Sequence, residues 1–167
     1  VEGPDGAVYV ADWHDARTAH PDPDAEWDRS NGRVFRIVPK NGQPPAGVTD
    51  LRAMSTPELV ALLESRNSWK VRRARRILAD RRDQSVVPTL RNRIEAAADP
   101  QHALEALWAL YVSEGFDEPY AAKLLSHSNP RVREWAVRLL GDERRTLGDE
   151  TLAKLQSLAA SEGDLLV

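Results

Sequence analysis

A repeated helical pattern constrains the fold of this chain more than any other feature of its sequence. Val71-Arg72 and Val132-Arg133 are each followed, after five further residues, by a leucine, so the two segments match at an offset of 61 residues. Between them, in residues 104–111, apolar side chains recur at the three- and four-residue spacing of an amphipathic helix. Because one pair of such helices cannot bury its apolar stripe alone, the repeat predicts a stack of helical hairpins.

Capping residues and prolines divide the C-terminal part of the chain into seven predicted helices. Ser55 or Thr56 caps the first helix, and Pro57 lies in its first turn, where a missing N–H costs nothing. Asp-Pro and Asn-Pro steps at residues 99–100 and 129–130 open the fourth and sixth helices, and Gly141 is expected to be the C-cap of the sixth. Apolar stripes predict the others near residues 71–78, 86–97, 120–125 and 152–159. The pattern resembles HEAT repeats and predicts an α-solenoid over residues 55–167, truncated at its C-terminus.

Two short β-strands are predicted in residues 1–40. Asp5-Gly6 and Asn31-Gly32 are signals for tight turns. Each turn signal precedes a strand-like run, at residues 7–11 and 33–38. The second run carries apolar residues on both of its faces, which is typical of a sheet with neighbours on either side.

These two strands are too few to form a stable sheet in water, and the turn at Asp5-Gly6 requires a further strand before Val1. We therefore interpret residues 1–40 as the C-terminal blade of a β-propeller, cut by the start of the sequence. Residues 41–54 are predicted to be a linker. A free hairpin that caps the helices is the alternative. The predicted fold class is α+β, mainly α.

The long segment at residues 12–31 is a candidate metal site. It contains two histidines, two tryptophans and six acidic residues, and it is longer than the about 12–15 residues usual for a loop without secondary structure. Its oxygen ligands suit Ca²⁺, and two histidines with a carboxylate suit a transition metal. We favour a solvated acidic loop anchored by Trp13 and Trp27. The candidate ligands are Asp12, His14, Asp15, His20, Asp22, Asp24 and Asp28, with Asn31 as a further oxygen donor.

A basic segment at residues 66–82 is a candidate interaction surface. Residues 51–98 carry a net charge of +6, whereas the regions before and after them carry −4 and −5, and the whole chain −3. Arginines beside a tryptophan can bind phosphates and stack on bases, but the net charge argues against a nucleic-acid partner. We favour a solvated helix face that pairs with Asp80, Asp83 and the next repeat. The candidate contact residues are Arg66, Trp69, Lys70, Arg73 and Arg76.

Composition and motif content exclude several other kinds of site. The chain has no cysteine, which removes disulfides, thiolate metal sites and Cys-x-x-Cys-His haem attachment. No apolar run approaches the about 18 residues of a membrane-spanning helix. No Ser-His-Asp, phosphate-loop or paired-carboxylate motif is legible, so no catalytic or cofactor-binding residue is assigned. The chain begins without Met in the middle of a propeller motif and is expected to be a piece of a longer protein.

The order of motifs along the chain resembles one family of large secreted proteins. Residues 4–13 read Pro-Asp-Gly-Ala-Val-Tyr-Val-Ala-Asp-Trp, and residues 27–37 read Trp-Asp-Arg-Ser-Asn-Gly-Arg-Val-Phe-Arg-Ile. Ala-Leu-Trp-Ala-Leu follows at residues 106–110, and Asn-Pro-Arg-Val-Arg-Glu-Trp-Ala-Val-Arg-Leu-Leu-Gly at residues 129–141. Together these segments look like the membrane-bound dehydrogenase-like proteins of planctomycetes and verrucomicrobia. Those proteins join a sorbosone-dehydrogenase-like propeller to HEAT repeats and a c-type haem-binding domain.

The resemblance implies a propeller-to-HEAT junction, not catalytic by itself, in an extracytoplasmic, haem-linked dehydrogenase-like protein that acts on carbohydrate-like substrates. The implied partners are the remainder of its own propeller and the cytochrome domain, with a further protein partner on the HEAT surface as a candidate. It implies no cofactor within this chain besides the candidate Ca²⁺, and it places the c-type haem in a separate C-terminal domain. The alternative is a HEAT-repeat scaffold that binds protein or nucleic acid.

Overall fold

A computed structural model describes residues 1–12, 32–41, 50–164 and 167 of the chain. These residues belong to two units. The first unit comprises residues 1–49 and 67–69, and the second comprises residues 50–66 and 70–167. The described part is mainly helical with one small antiparallel sheet, so the predicted α+β, mainly α class is confirmed. The predicted domain identities, a propeller blade and a HEAT-like solenoid, stay predictions.

The first unit contains an antiparallel pair of strands. Strand β1 (Val8–Ala11) pairs with β2 (Val34–Ile37), and Val10 lies opposite Phe35. Gly6 has a φ of +76°, as the predicted Asp5-Gly6 turn requires, and its N–H donates to the Gly3 carbonyl at 3.0 Å. The chain before this turn pairs back onto β1, since the Tyr9 N–H donates to the Val1 carbonyl at 2.7 Å. Both predicted strands and the first turn are therefore confirmed.

The two faces of this sheet differ in what they carry. Val8, Val10, Phe35 and Ile37 share one face, and they are between 42% and 56% exposed. On the opposite face, the Tyr9 hydroxyl donates to Asp5 Oδ2 at 3.1 Å, and Arg36 Nε donates to the same oxygen at 2.8 Å. Burial acts to raise the pKa of Asp5, but hydrogen bonds from the Ala7 N–H and Arg36 outweigh it and hold that pKa below its ordinary value.

Residues 67–69 join the first unit through polar contacts. The Glu2 carboxylate accepts from the Ser68 N–H at 2.7 Å and from its hydroxyl at 2.8 Å. The Asn67 side-chain amide donates to the Gly3 carbonyl at 3.0 Å. Glu2 thereby satisfies a backbone N–H at the start of a helix, in the manner of a capping side chain.

The second unit is built from seven helices, each at a predicted place. Three short 3₁₀ turns, at Leu51–Ala53, Leu62–Glu64 and Gln84–Val86, connect or extend them. The helices are α1 (Thr56–Ala61), α2 (Ser68–Arg81), α3 (Val87–Ala96), α4 (Pro100–Val112), α5 (Glu118–Leu124), α6 (Pro130–Asp142) and α7 (Asp149–Ser161).

Side-chain caps explain where several of these helices begin. Asp99 accepts from the Gln101 N–H at 2.8 Å, and Asn129 accepts from the Arg131 N–H at 3.0 Å. In each case a proline follows the cap, and it needs no hydrogen-bond partner there. At α1, Glu58 reaches back to the Ser55 N–H at 2.7 Å, which is the acidic half of a capping box.

The predicted C-cap at Gly141 is wrong. Gly141 lies inside α6, which ends at Asp142, and the residue with positive φ is Arg144 at 50°. Arg82 follows α2 with a φ of 50°, and Glu114 follows α4 with a φ of 59°. A non-glycine residue therefore occupies the left-handed position after each of these helices, although glycine would be the less strained choice.

The helices form two rows that are defined by their contacts. In one row, Arg75 of α2 lies over Trp108 of α4 at 5.1 Å, and α4 packs against α6. In the other row, Arg93 of α3 donates to the Val60 carbonyl of α1 at 3.0 Å, Lys123 of α5 pairs with Glu95 of α3 at 2.8 Å, and α5 packs against α7. Helix α4 also packs against α3, which joins the two rows.

The helices α2, α4 and α6 are structural equivalents. They begin at residues 68, 100 and 130, and the positive-φ residues that follow them are 82, 114 and 144. Both series have spacings of 32 and then 30 residues, so α2 and α6 are offset by 62 residues rather than by the 61 of the sequence motif. The buried alanines Ala74, Ala106 and Ala136 follow the same spacing.

The core of the second unit lies where the two rows meet. Leu59, Leu90, Leu107, Leu110 and Leu124 are fully buried. Helix α7 is different, because Thr151 is its only buried residue and Leu152 is 42% exposed. The apolar stripe that predicted α7 from the sequence is therefore only partly covered.

Candidate functional site

The predicted metal site falls almost entirely outside the described residues. Asp12 is described, and its N–H donates to the Arg33 carbonyl at 2.8 Å. The other predicted ligands, His14, Asp15, His20, Asp22, Asp24 and Asp28, are not among the described residues. Elsewhere in the described ranges, no group of three or more histidine or acidic side chains converges as a metal would require. The Asp12-to-Asp28 site stays a prediction.

The predicted interaction residues are described, and they divide between the two units. Trp69 belongs to the first unit, whereas Arg66, Lys70, Arg73 and Arg76 belong to the second. Arg66 and Arg76 are exposed, and Lys70 and Arg73 are half-buried. Arg76 lies 3.6 Å from Asp80 one turn further along α2, in a pair that is largely solvated. Such an exposed i, i+4 pair stabilises a helix only slightly.

The equivalence of α2, α4 and α6 brings six side chains to one face of the second unit. The residues at matching positions of the three helices, which we name the arginine–tryptophan face, are Arg73 and Arg76, Glu105 and Trp108, and Trp135 and Arg138. Two contacts connect these helices across the face. The Trp108 and Trp135 rings meet edge to face with centroids 5.0 Å apart, and the Arg138 guanidinium lies 4.8 Å from the Trp135 ring centroid.

Arg75 closes this arrangement from the side of α2. Its guanidinium pairs with the Glu105 carboxylate and also lies over the Trp108 ring. Glu105 and Trp108 are three residues apart on α4 and so face the same way. A cation over an indole face is attracted by the ring quadrupole. The result is an unbroken series of contacts from Arg75 through Trp108 and Trp135 to Arg138.

The sequence analysis placed both tryptophans on buried stripes and missed that they meet. Both are half-buried, and the Trp108 Nε1 atom is inaccessible to solvent without a hydrogen-bond partner among the described residues. One signal was available in the sequence, because Trp135 and Arg138 are three residues apart on a predicted helix and could be expected to touch. The contact between α4 and α6 had no such signal.

A polar groove of about 490 Å³ lies between the start of α6 and α7. Its floor is an ion pair in which Arg133 Nε and Nη2 donate to the two oxygens of Glu162, each at 2.7 Å. The Arg133 hydrogen bonds, with help from the Asp164 N–H, hold the pKa of Glu162 at about 2. Arg133 Nη1 also donates to the His127 carbonyl at 2.8 Å. Because Arg133 is occupied by these partners, the groove does not offer it to a ligand.

A second groove, of about 320 Å³, lies between the end of α3 and the start of α4. It too contains an arginine–glutamate pair, since Arg93 Nη1 is 2.8 Å from Glu64 Oε1. His102 and Asp99 also line it. The likeness of the two grooves indicates that an arginine–glutamate pair is a recurring connection between neighbouring turns of this unit.

A cluster around Tyr120 is structural in character. Arg91 lies over the Tyr120 ring at 4.4 Å and donates to Asp117 at 2.7 Å. Burial, followed by the nearby Glu95 carboxylate, raises the pKa of Tyr120 far above its ordinary value. In Asp117, burial opposes and the Arg91 hydrogen bond favours ionisation, and the pKa is lowered. Neither shift brings a group towards neutral pH, where general acids and bases work best.

Comparisons with known proteins add no relative. No protein-family model, no curated protein and no solved structure gives a significant match to the chain. No helix in the described part combines the length and the apolar character needed to cross a bilayer. The arginine–tryptophan face is therefore the best-defined candidate site.

Proposed function

We propose that this chain is a non-catalytic junction between a β-propeller and HEAT-like helical repeats in an extracytoplasmic, haem-linked dehydrogenase-like protein. The observation that carries the proposal is the exposed apolar face of the sheet, formed by Val8, Val10, Phe35 and Ile37. A sheet face of this kind needs further sheet or protein against it. In a propeller, the neighbouring blades would cover it.

The helical unit supports the second half of the proposal. Two rows of alternating helices, with equivalent residues 30 to 32 positions apart, are what stacked helical repeats produce. In this proposal the helices hold the propeller and the cytochrome domain as partners. The redox chemistry belongs to the rest of the protein, with the c-type haem in a C-terminal domain bearing Cys-x-x-Cys-His.

The gene that encodes the chain tests the junction proposal. We expect further propeller blades to be encoded upstream of Val1, and a Cys-x-x-Cys-His motif downstream of Val167. A coding sequence without the downstream motif contradicts the haem assignment. Haem staining of the protein from its native source is the matching biochemical measurement, and an unstained full-length product also counts against the proposal.

The candidate Ca²⁺ site is a separate part of the proposal. If Asp12, Asp22, Asp24 and Asp28 bind Ca²⁺ in the folded state only, the ion stabilises that state by mass action. Thermal unfolding with Ca²⁺ should then have a higher midpoint than unfolding with a chelator. Asp22→Asn together with Asp24→Asn should abolish the difference. An unchanged midpoint in the native sequence leaves the solvated acidic loop.

A second candidate function is a helical scaffold that binds protein or nucleic acid. The charge of the helices favours it: α2, α4 and α6 together have nine lysines and arginines and four acidic residues. Titration with duplex or single-stranded DNA over a range of salt concentrations tests the nucleic-acid version. Absence of binding at low salt removes that version.

A further inference from the structure

We infer that the arginine–tryptophan face binds an acidic segment of a partner protein, with Arg73, Arg76 and Arg138 pairing with its carboxylates and the Trp108–Trp135 pair contacting its apolar side chains. The inference rests on the helical-scaffold part of the proposed function and is independent of the redox part.

The two rows of helices carry opposite net charge. Helices α2, α4 and α6 have a net charge of +5. Helices α1, α3, α5 and α7, with the 3₁₀ turn that extends α1, have a net charge of −2. A surplus of cations on one side of a chain whose total is −3 gives that side a complementary fit to an anionic partner.

The cations of the two rows also differ in how they are paired. Every lysine or arginine of α3, α5 and α7 has a carboxylate partner within the described residues, as Arg91–Asp117, Arg93–Glu64, Lys123–Glu95 and Lys154–Glu150. On the arginine–tryptophan face, neither Arg73 nor Arg138 has a carboxylate within ion-pair distance in the described part of the chain. Arg76 has only its solvated neighbour Asp80, and its own side chain is 74% exposed.

The tryptophans hold this face in a form ready to bind. Arg138 stacks on Trp135, which restrains its long side chain while leaving the N–H edge of the guanidinium open to a carboxylate. The two indoles brace each other across α4 and α6. Restraint before binding lowers the entropy cost of the complex, and partly exposed Trp and Arg residues are the commonest anchors of protein interfaces.

The same face is less suited to a nucleic acid. Glu105 lies between the arginines, and its carboxylate pairs with Arg75, so a phosphate backbone that crosses α4 would meet a negative charge. A peptide avoids that contact, since it can place carboxylates opposite Arg73, Arg76 and Arg138 and an apolar side chain opposite the indoles. Bidentate carboxylate pairing with arginine supplies the directional contact.

The experiment uses the whole chain and three labelled probes. They are a short synthetic peptide of glutamate and leucine, its counterpart with lysine in place of glutamate, and an oligothymidylate. Fluorescence anisotropy measures binding, and tryptophan emission reports on Trp108 and Trp135. We expect the glutamate peptide to bind, to change the tryptophan emission, and to lose affinity as salt rises. The lysine peptide should not bind.

Paired variants separate the face from general charge. Arg73→Gln with Arg76→Gln should weaken glutamate-peptide binding by about tenfold or more, because each removes a charge-assisted hydrogen bond. Arg144→Gln with Arg145→Gln removes the same charge from exposed positions elsewhere and should leave the affinity nearly unchanged. Circular dichroism confirms that each variant is folded. Trp135→Phe should remove the emission change on binding while keeping most of the affinity.

Three results would overturn the inference. They are no binding of the glutamate peptide at low salt, equal losses in the two double variants, and tighter binding of oligothymidylate than of the peptide. The last result assigns the face to nucleic acid instead. None of these results bears on the gene-context test, so a failure here is distinguishable from a failure of the junction proposal.

Discussion

In the β-sheet unit, the apolar side chains Val10 and Phe35 face each other across two strands and remain 42% and 48% exposed. In the helical unit, Leu107 and Leu110 of α4 are completely buried. Both sets follow the period of their secondary structure. The difference is the number of layers, because α4 has helices on more than one side, whereas two strands supply a single layer. Periodicity creates an apolar face, and a second layer is what buries it.

The largest expected effect tests this contrast in the helical unit. Leu107→Ala removes a fully buried side chain and should destabilise the chain by about 2–5 kcal/mol, through lost burial and the cavity left behind. Thermal or denaturant unfolding, followed by the helical circular dichroism signal, measures it. A loss below about 1 kcal/mol would mean that the core between the helix rows is loosely packed.

A second, smaller effect concerns close packing at one glycine. A Cβ on Gly115 would lie 2.5 Å from Val87 Cγ2 and 2.6 Å from Leu110 Cδ1, so Gly115→Ala should cost about 1–3 kcal/mol by overpacking. Gly141→Ala is the matched control. It adds the same methyl group in open space inside α6 and should stabilise by about 0.5–1 kcal/mol. Equal effects at both positions in unfolding experiments would contradict the packing explanation.

A third prediction uses pH to test the connection between α6 and α7. The pKa of Glu162 is lowered from 4.5 to about 2 by Arg133. This pair therefore contributes its full stability above pH 4.5, and the contribution is lost as pH falls through about 2. Melting temperatures between these pH values should fall more for the native chain than for Glu162→Gln.

The control for the pH prediction is an exposed pair on the same helix. Glu150→Gln removes the partner of Lys154, where the glutamate side chain is 83% exposed, so solvent screens the interaction. Its pH profile should follow that of the native chain. A profile of Glu162→Gln that is indistinguishable from both would show that the Arg133 pair does not stabilise the fold.

A fourth prediction concerns a hydroxyl in the interior of the helical unit. Ser113 is fully buried, and its Oγ has no hydrogen-bond partner among the described residues. Since an unpaired buried polar atom is unfavourable, Ser113→Ala should stabilise the chain by about 1 kcal/mol. Denaturant titration measures the change. A destabilised variant would reveal a partner for this hydroxyl, such as a bound water.

The smallest expected effect returns to the β-sheet. Phe35→Ser changes a side chain that is 48% exposed, so unfolding of the helices should shift by less than about 0.5 kcal/mol. The variant should instead be less prone to self-association in light-scattering measurements, because it interrupts the exposed apolar face. A large loss of helical stability would end the comparison between a covered and an uncovered apolar face.

Local features of the sequence determined where the elements lie. Asp99 and Asn129 with their following prolines placed α4 and α6, and Asp5-Gly6 placed a tight turn, because caps and turns depend on a few adjacent residues. The same reasoning failed at Gly141, where glycine was read as a helix end. The left-handed residue is Arg144, which has no chemical signal of its own and is held there by the packing of its neighbours.

Only the tertiary structure decided how distant residues meet. The contact of Trp108 with Trp135 and the pairing of Arg75 with Glu105 join different helices, and their register depends on helix spacings of 32 and 30 residues that the sequence motif showed as a single 61-residue offset. The sequence alone determined the periods, the caps and the separation of charge along the chain. Packing between the two rows of helices decided which arginines have carboxylate partners, because ion pairs form between surfaces that the fold brings within a few ångströms.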